Sequence, residues 1–227
     1  MLQRVLQALE APMIAKPFLV SIDDVAAGRM AAGPSLKNCD LLASGVSAPA
    51  SAKAAVLLAA QYPVLVTTGD HALLTQEIVV YFLSRSEASG ADFTVGLATA
   101  ETILAKYPNT IRTFFKLGPD RVSGCNLFAV MNEKGLKLFD VWHDLEKNRK
   151  KPWKLVAAFG IAPLFSFLFG RLTLAKAFEQ MSRRLGFTIK PVLLPFAEAA
   201  IDVDKPEDHV LVESILRDRA ERRSDSI

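Results

Sequence analysis

The chain has 227 residues with 27 basic against 24 acidic side chains, and a net charge of +3 is too small to argue for nucleic acid as a partner. The length suffices for one α/β domain with a buried core, so residues 1–227 are read as a single unit with a helical insertion at about 133–185 and a charged tail at about 217–227. Cys39 and Cys125 lie in apolar stretches with no partner at metal-ligand or redox-motif spacing, which predicts reduced thiols and a cytoplasmic protein.

Leu2, Val5, Leu6 and Leu9 recur at helical spacing, a stripe unlike the solid apolar run of a secretion signal. From there, β-branched and aromatic runs alternate with helical stretches. Strands are read at 18–22 (FLVSI), 64–68 (VLVTT), 93–98 (FTVGLA), 113–117 (TFFKL), 126–130 (NLFAV) and 188–194 (TIKPVLL). Helices are read near 2–10, 51–61, 75–89, 99–106, 133–148, 153–169 and 172–185, with a last one from about Pro206. The alternation predicts a Rossmann-like, mostly parallel sheet flanked by helices. The Gly-, Pro- and Ser-rich stretch 28–50 reads as a loop with one short strand around Cys39–Leu42. At 147–154, five basic residues beside a Pro-Trp pair read as a solvated junction or as a contact for phosphate or anionic lipid. The next stretch, 155–170, is uncharged but shorter than the roughly 20 residues a spanning helix needs, so it reads as buried or lying at an interface.

Ligands of an open parallel sheet sit beyond the carboxyl ends of its strands, which places Thr67, Thr68, Gly69 and Asp70 on the reactive rim. Gly69 lets the backbone approach a ligand closely, and Asp70 offers hard oxygens to a Mg2+ bound to phosphates. In AAIDVDKPEDHV, residues 199–210, a very short strand would turn Asp202 and Asp204 to one side, directly before a helix that starts with proline. Together with Asp70 they could hold one or two divalent ions during in-line displacement on a triphosphate. The plainer alternative is that Asp204 caps the last helix, which would account for Asp204 but not Asp202. His71, next to Asp70, is a conceivable base, although phosphoryl-type transfer relies mainly on positioning and charge.

The stretches VLVTTGDHALLT, SGCNLF, GRLTLAKAFEQMSRRLGF and AAIDVDKPEDHV resemble the MobA-like NTP transferases, nucleotidyltransferases of the GT-A-type fold, over residues 1 to about 215. The resemblance implies Mg2+-dependent transfer of a nucleoside monophosphate from an NTP to a phosphate-bearing acceptor, with release of pyrophosphate. It implies that Asp70 binds the metal and that Asp204 or Asp202 supplies the second carboxylate. Ser51, Thr68 and Gly69 would lie along the nucleotide, and Gly124 and Asn126 would line the acceptor pocket. Family members open with a strand and a Gly-rich phosphate loop, whereas this chain matches from the helix that follows. The resemblance therefore implies that a central strand between FLVSI and VLVTT is missing, leaving two unpaired edges, a plausible dimer and weakened catalysis. Two other readings stand beside it: a non-catalytic nucleotide-binding remnant, and a GT-A-type glycosyltransferase using Asp202-Val203-Asp204 as its acidic element. A peripheral membrane contact through the 147–154 patch is a further expectation.

Overall fold

The computed structural model describes residues 1–11, 13–26, 28, 38–147 and 172–224. The helix read at 153–169 and nearly all of the basic 147–154 patch, Trp153 included, lie outside the described residues, as does the first part of the 28–50 loop except Gly28. Among the described residues no helix is long and apolar enough to cross a membrane.

In chain order the elements are α1 (Leu2–Leu9), β1 (Phe18–Ile22), β2 (Cys39–Ala43), α2 (Ala48–Ala59), β3 (Val64–Thr67), α3 (Gln76–Ser89), β4 (Phe93–Thr99), α4 (Ala100–Lys106), β5 (Phe115–Leu117), β6 (Asp120–Val130), α5 (Lys137–Lys147), α6 (Leu174–Leu185), β7 (Ile189–Leu193) and α7 (Pro206–Ser224). Short 3-10 turns occupy Glu133–Leu136 and Ala197–Ala200. Helix starts follow side-chain chemistry. Ser47, Thr75, Thr99 and Thr173 each accept the backbone N–H three residues on, satisfying a donor that the first helical turn leaves free. α3 and α6 stop at Gly90 and Gly186, whose φ values of 64° and 75° suit the left-handed end of a helix. α2 starts at Ala48 rather than near 51 because Ser47 caps it and Pro49 occupies its first turn, where a missing N–H costs nothing.

The α/β class holds, with helices on both faces. β3, β4 and β7 run the same way in a five-stranded sheet of order β3-β6-β4-β7, with β5 also on β6. Parallel pairing is seen in β1–β2 and β4–β7, whereas β6 runs antiparallel to β3, β4 and β5. β6 is longer than the strand read at 126–130, because a two-residue Gly118-Pro119 turn, with φ of 59° at Gly118, folds it back on β5. β1 and β2 form a separate pair, so among the described residues β1 and β3 each keep one edge without a strand.

One apolar layer joins Val5 and Ala8 of α1 and Ile78, Val79 and Phe82 of α3 to Leu127, Ala129, Val192 and Leu194 on the sheet. The opposite face carries Val56 of α2 and Phe139 of α5 against Phe93, Val130 and Ile189. Each of the larger of these side chains, fully buried, contributes about 1.5–3 kcal/mol. Trp142, half-buried, packs on Phe128 with ring centroids 5.1 Å apart. Cys125 is buried and Cys39 half-buried, and both are free thiols. The charged tail is helical through Ser224, and Arg219 reaches the Leu73 carbonyl and Glu198.

Two irregularities of the sheet position the site. β3 and β5 pair with the same edge of β6, β3 along Leu127–Val130 and β5 along Asp120–Val122, so the interval between them is unclaimed on that edge. Along the other edge Val95 pairs with Phe128 but Leu97 pairs with Gly124, so β6 bulges by two residues around Asn126. A Cβ on Gly96, opposite the bulge, would lie 3.0 Å from the Leu127 Cβ and 3.3 Å from its carbonyl, so a side chain there would press on the bulge.

Candidate metal centre

β3 delivers its chain to the rim at Thr67, and the turn that follows presents Asp70 where the Thr68 hydroxyl donates to Asp70 Oδ1. From the other side of the sheet, the chain leaves β7, crosses β4 and β6 through the 3-10 turn Ala197–Ala200, and runs extended from Ile201 into α7. That run is not the short strand expected, since it pairs with no strand among the described residues. Its extended backbone still carries Asp202 and Asp204 toward one point. One carboxylate oxygen from each of Asp70, Asp202 and Asp204 lies within 4.8 Å of the others. The sequence reading of these three residues as one cluster agrees with the structure.

The helix-capping alternative for Asp204 does not hold. The Asp204 carboxylate accepts no first-turn N–H among the described residues, and Asp208 instead reaches back from inside the first turn, its Oδ2 accepting the N–H groups of Asp204 at 3.3 Å and Lys205 at 3.0 Å. The Asp204 side chain is left exposed. The charge of Asp202, then burial, then the charge of Asp70 push its carboxyl above the usual range, the mark of negative charge crowded without a sufficient counter-ion. Hard carboxylate oxygens in that state fit a divalent cation such as Mg2+.

Arg112, which the sequence reading did not single out, is the one basic group in contact with the cluster among the described residues. Its side chain is only 9% exposed. Nη1 donates to Asp202 Oδ1, and Nη2 donates to the Asp202 carbonyl oxygen at 2.7 Å. Nη2 also stands 3.8 Å from Asp208. Asn126 donates from Nδ2 to the other Asp202 oxygen at 2.7 Å, so its amide faces the acidic cluster. Asn126 holds φ at 49°, a left-handed conformation that costs a non-glycine residue free energy and that the β6 bulge imposes.

The other expected residues are placed differently. The Ser51 hydroxyl accepts the Gly45 N–H at 2.9 Å and donates to the Ser47 carbonyl at 3.1 Å, holding the loop before α2. Its neighbour Ser47 lies 2.9 Å from His143 Nδ1, which gives that histidine a packing partner between α2 and α5. Gly69 has no left-handed φ, and a Cβ there would make ordinary contact with Leu2 at 3.6 Å. Gly124 is exposed, with open space where a side chain would stand. His71 is 1% exposed beneath the cluster. Burial pushes its imidazole down, against the Glu198 backbone and the charges of Asp202 and Asp70, so it sits below the acids as a neutral ring rather than as a solvent-facing base.

No family model and no curated protein matches the chain. Solved structures do. A hypothetical transferase from Thermus thermophilus is similar with a TM-score of 0.70 and 26% identity, covering 92% of this chain and 85% of its own. The 4-diphosphocytidyl-2C-methyl-D-erythritol synthase of Anaerococcus prevotii is similar in fold, with a TM-score of 0.54 at 10% identity, over 95% of this chain and 88% of its own. The fold is thus one that this chain shares with a hypothetical transferase and with that synthase.

Proposed function

We propose that the chain is a Mg2+-dependent nucleotidyltransferase that moves a nucleoside monophosphate from an NTP to a phosphate-bearing acceptor and releases pyrophosphate. The observation that carries this reading is the convergence of Asp70, Asp202 and Asp204 at the rim from loops that follow β3 and β7. The likeness to a hypothetical transferase and to 4-diphosphocytidyl-2C-methyl-D-erythritol synthase supports it at the level of a transferase.

Asp70 and Asp204 have the freer carboxylates and would be the principal ligands, with Asp202 completing the set. A divalent cation held by these carboxylates would supply charge to neutralise the phosphates in an in-line displacement, in which an acceptor oxygen bonds to the α-phosphorus and the bond to pyrophosphate breaks. Thr68 orients Asp70 through its hydroxyl, and the exposed Gly69 leaves the rim low enough for a triphosphate to approach. Gly124 would leave room for the acceptor beside Asn126, and Ser51 would shape the loop near the base.

Pyrophosphate release from ATP, CTP, GTP and UTP, each with a panel of phosphate monoesters and Mg2+, tests the proposal. Turnover should vanish with EDTA and fall about 100-fold or more in Asp70→Asn, as when a charge-stabilising group is removed. Silence with every pair and no NTP binding would overturn it. Release of a nucleoside diphosphate from a sugar nucleotide would instead favour the glycosyltransferase reading.

A further inference from the structure

We infer that Arg112 and Asn126 are positioning residues, two arms of a clamp that fixes the Asp202 carboxylate so that it can share one divalent cation with Asp70 and Asp204. The inference rests on the metal-dependent reading above and assigns to Arg112 and Asn126 work done through Asp202.

Both oxygens of Asp202 are taken, from opposite sides and by separate segments of chain. Arg112 comes from the loop before β5 and holds Oδ1, while Asn126 comes from the β6 bulge and holds Oδ2. The second Arg112 bond goes to the carbonyl of the same residue, so the planar fork grips side chain and backbone together. That grip extends along the loop: Arg112 Nη2 faces Asp208, and Asp208 accepts the N–H groups of Asp204 and Lys205. A carboxylate oxygen has two lone pairs, so each Asp202 oxygen that accepts one hydrogen bond keeps one for a cation.

The charges point the same way. Asp70, Asp202 and Asp204, with Asp208 beside Arg112, outnumber the one guanidinium, and a divalent cation would offset part of that deficit. A counter-ion alone would not require Asn126, which is neutral and is held at a φ of 49° to reach Asp202. Partners that orient metal ligands in this way are typically worth 10- to 100-fold in metal affinity.

Mn2+ binding to the full chain, followed by the electron paramagnetic resonance of the free ion, tests the clamp without measuring turnover. Three variants are compared with the unsubstituted chain: Arg112→Gln, Arg112→Lys and Asn126→Gly. The last removes one arm while keeping a residue at ease with positive φ, so it remains informative if the arginine variants fail to fold. The clamp predicts that each folded variant binds Mn2+ about 10-fold or more weakly, including Arg112→Lys, which keeps the charge and loses the fork. Unchanged affinity in folded Asn126→Gly overturns the clamp. Tighter binding in Arg112→Gln also overturns it, since Arg112 would then be a competitor for Asp202. Either result leaves the metal reading standing, whereas a chain that binds no Mn2+ at all overturns both.

Discussion

Asp202 is neutralised by Arg112, while Asp70 and Asp204 face like charge, so one substitution chemistry should act with opposite signs at neighbouring positions. Asp202→Asn leaves a guanidinium that is 9% exposed with only Asp208, at 3.8 Å, as counter-charge, and breaking such a pair costs about 3 kcal/mol. In a protein of this size that lowers the melting temperature by roughly 6–12 °C. Asp70→Asn removes repulsion and should leave the metal-free melting temperature unchanged or slightly raised. Circular dichroism melts in EDTA check both, and equal losses would refute the asymmetry. The carboxylates were legible in the sequence because each follows a rule of local geometry: Asp70 lies past a strand end, and Asp202 and Asp204 alternate in an extended run. Arg112 was not legible, because its meaning comes from Asp202, 90 residues away, and no spacing in its own loop signals that contact.

Elements with local signals were also legible, and those set by tertiary pairing were less so. α3 was found near its true bounds because Thr75 and Gly90 mark its ends, whereas the first half of β6 was missed because Gly124 and its polar neighbours hide the alternation that β4 and β5 enforce. The 3-10 turn Ala197–Ala200 is too short to be stable alone and is held by Glu198, which accepts from Lys106 at 2.6 Å and Tyr107 at 3.0 Å and pairs with Arg219 at 3.2 Å. It therefore ties α4 and α7 to the segment that presents Asp202. Burial pushes the Glu198 carboxyl up, but the hydrogen bonds from Lys106 and Tyr107 outweigh it and hold the group down at about 2, from an ordinary 4.5. A depressed carboxylate gives stability that is present above the unfolded value and lost as pH falls through the folded one. Urea unfolding should thus show a loss of roughly 2 kcal/mol between pH 4.5 and 2, discounted for the exposed Lys106, and Glu198→Gln should remove that part of the pH dependence. An identical acid profile in the variant would place the loss elsewhere.

At the scale of the molecule, the acidic cluster draws on the loops after β3 and β7, with β6 and the loop before β5 supporting them, so it exists only when the whole five-stranded sheet is assembled. The α/β class was readable from the alternation of apolar periods, but the sheet order was not, since an antiparallel β6 between β3 and β4 leaves no trace in the periodicity of any single segment. The assembly has a thermodynamic consequence. A ligand that binds only the native arrangement stabilises it by RT ln(1 + [L]/Kd), about 2.7 kcal/mol at a hundredfold excess over Kd. For a chain of this length that is a rise in melting temperature of roughly 5–11 °C. Mn2+ with the preferred NTP should therefore shift the entire unfolding transition, rather than a local phase. Asp70→Asn should abolish the shift even though its own metal-free transition is intact, because the substitution removes a ligand and no packing. Scanning calorimetry with and without Mn2+ and nucleotide separates the cases: a shift that persists in Asp70→Asn would mean the nucleotide binds elsewhere, and no shift in the unsubstituted chain would detach the acidic cluster from nucleotide chemistry.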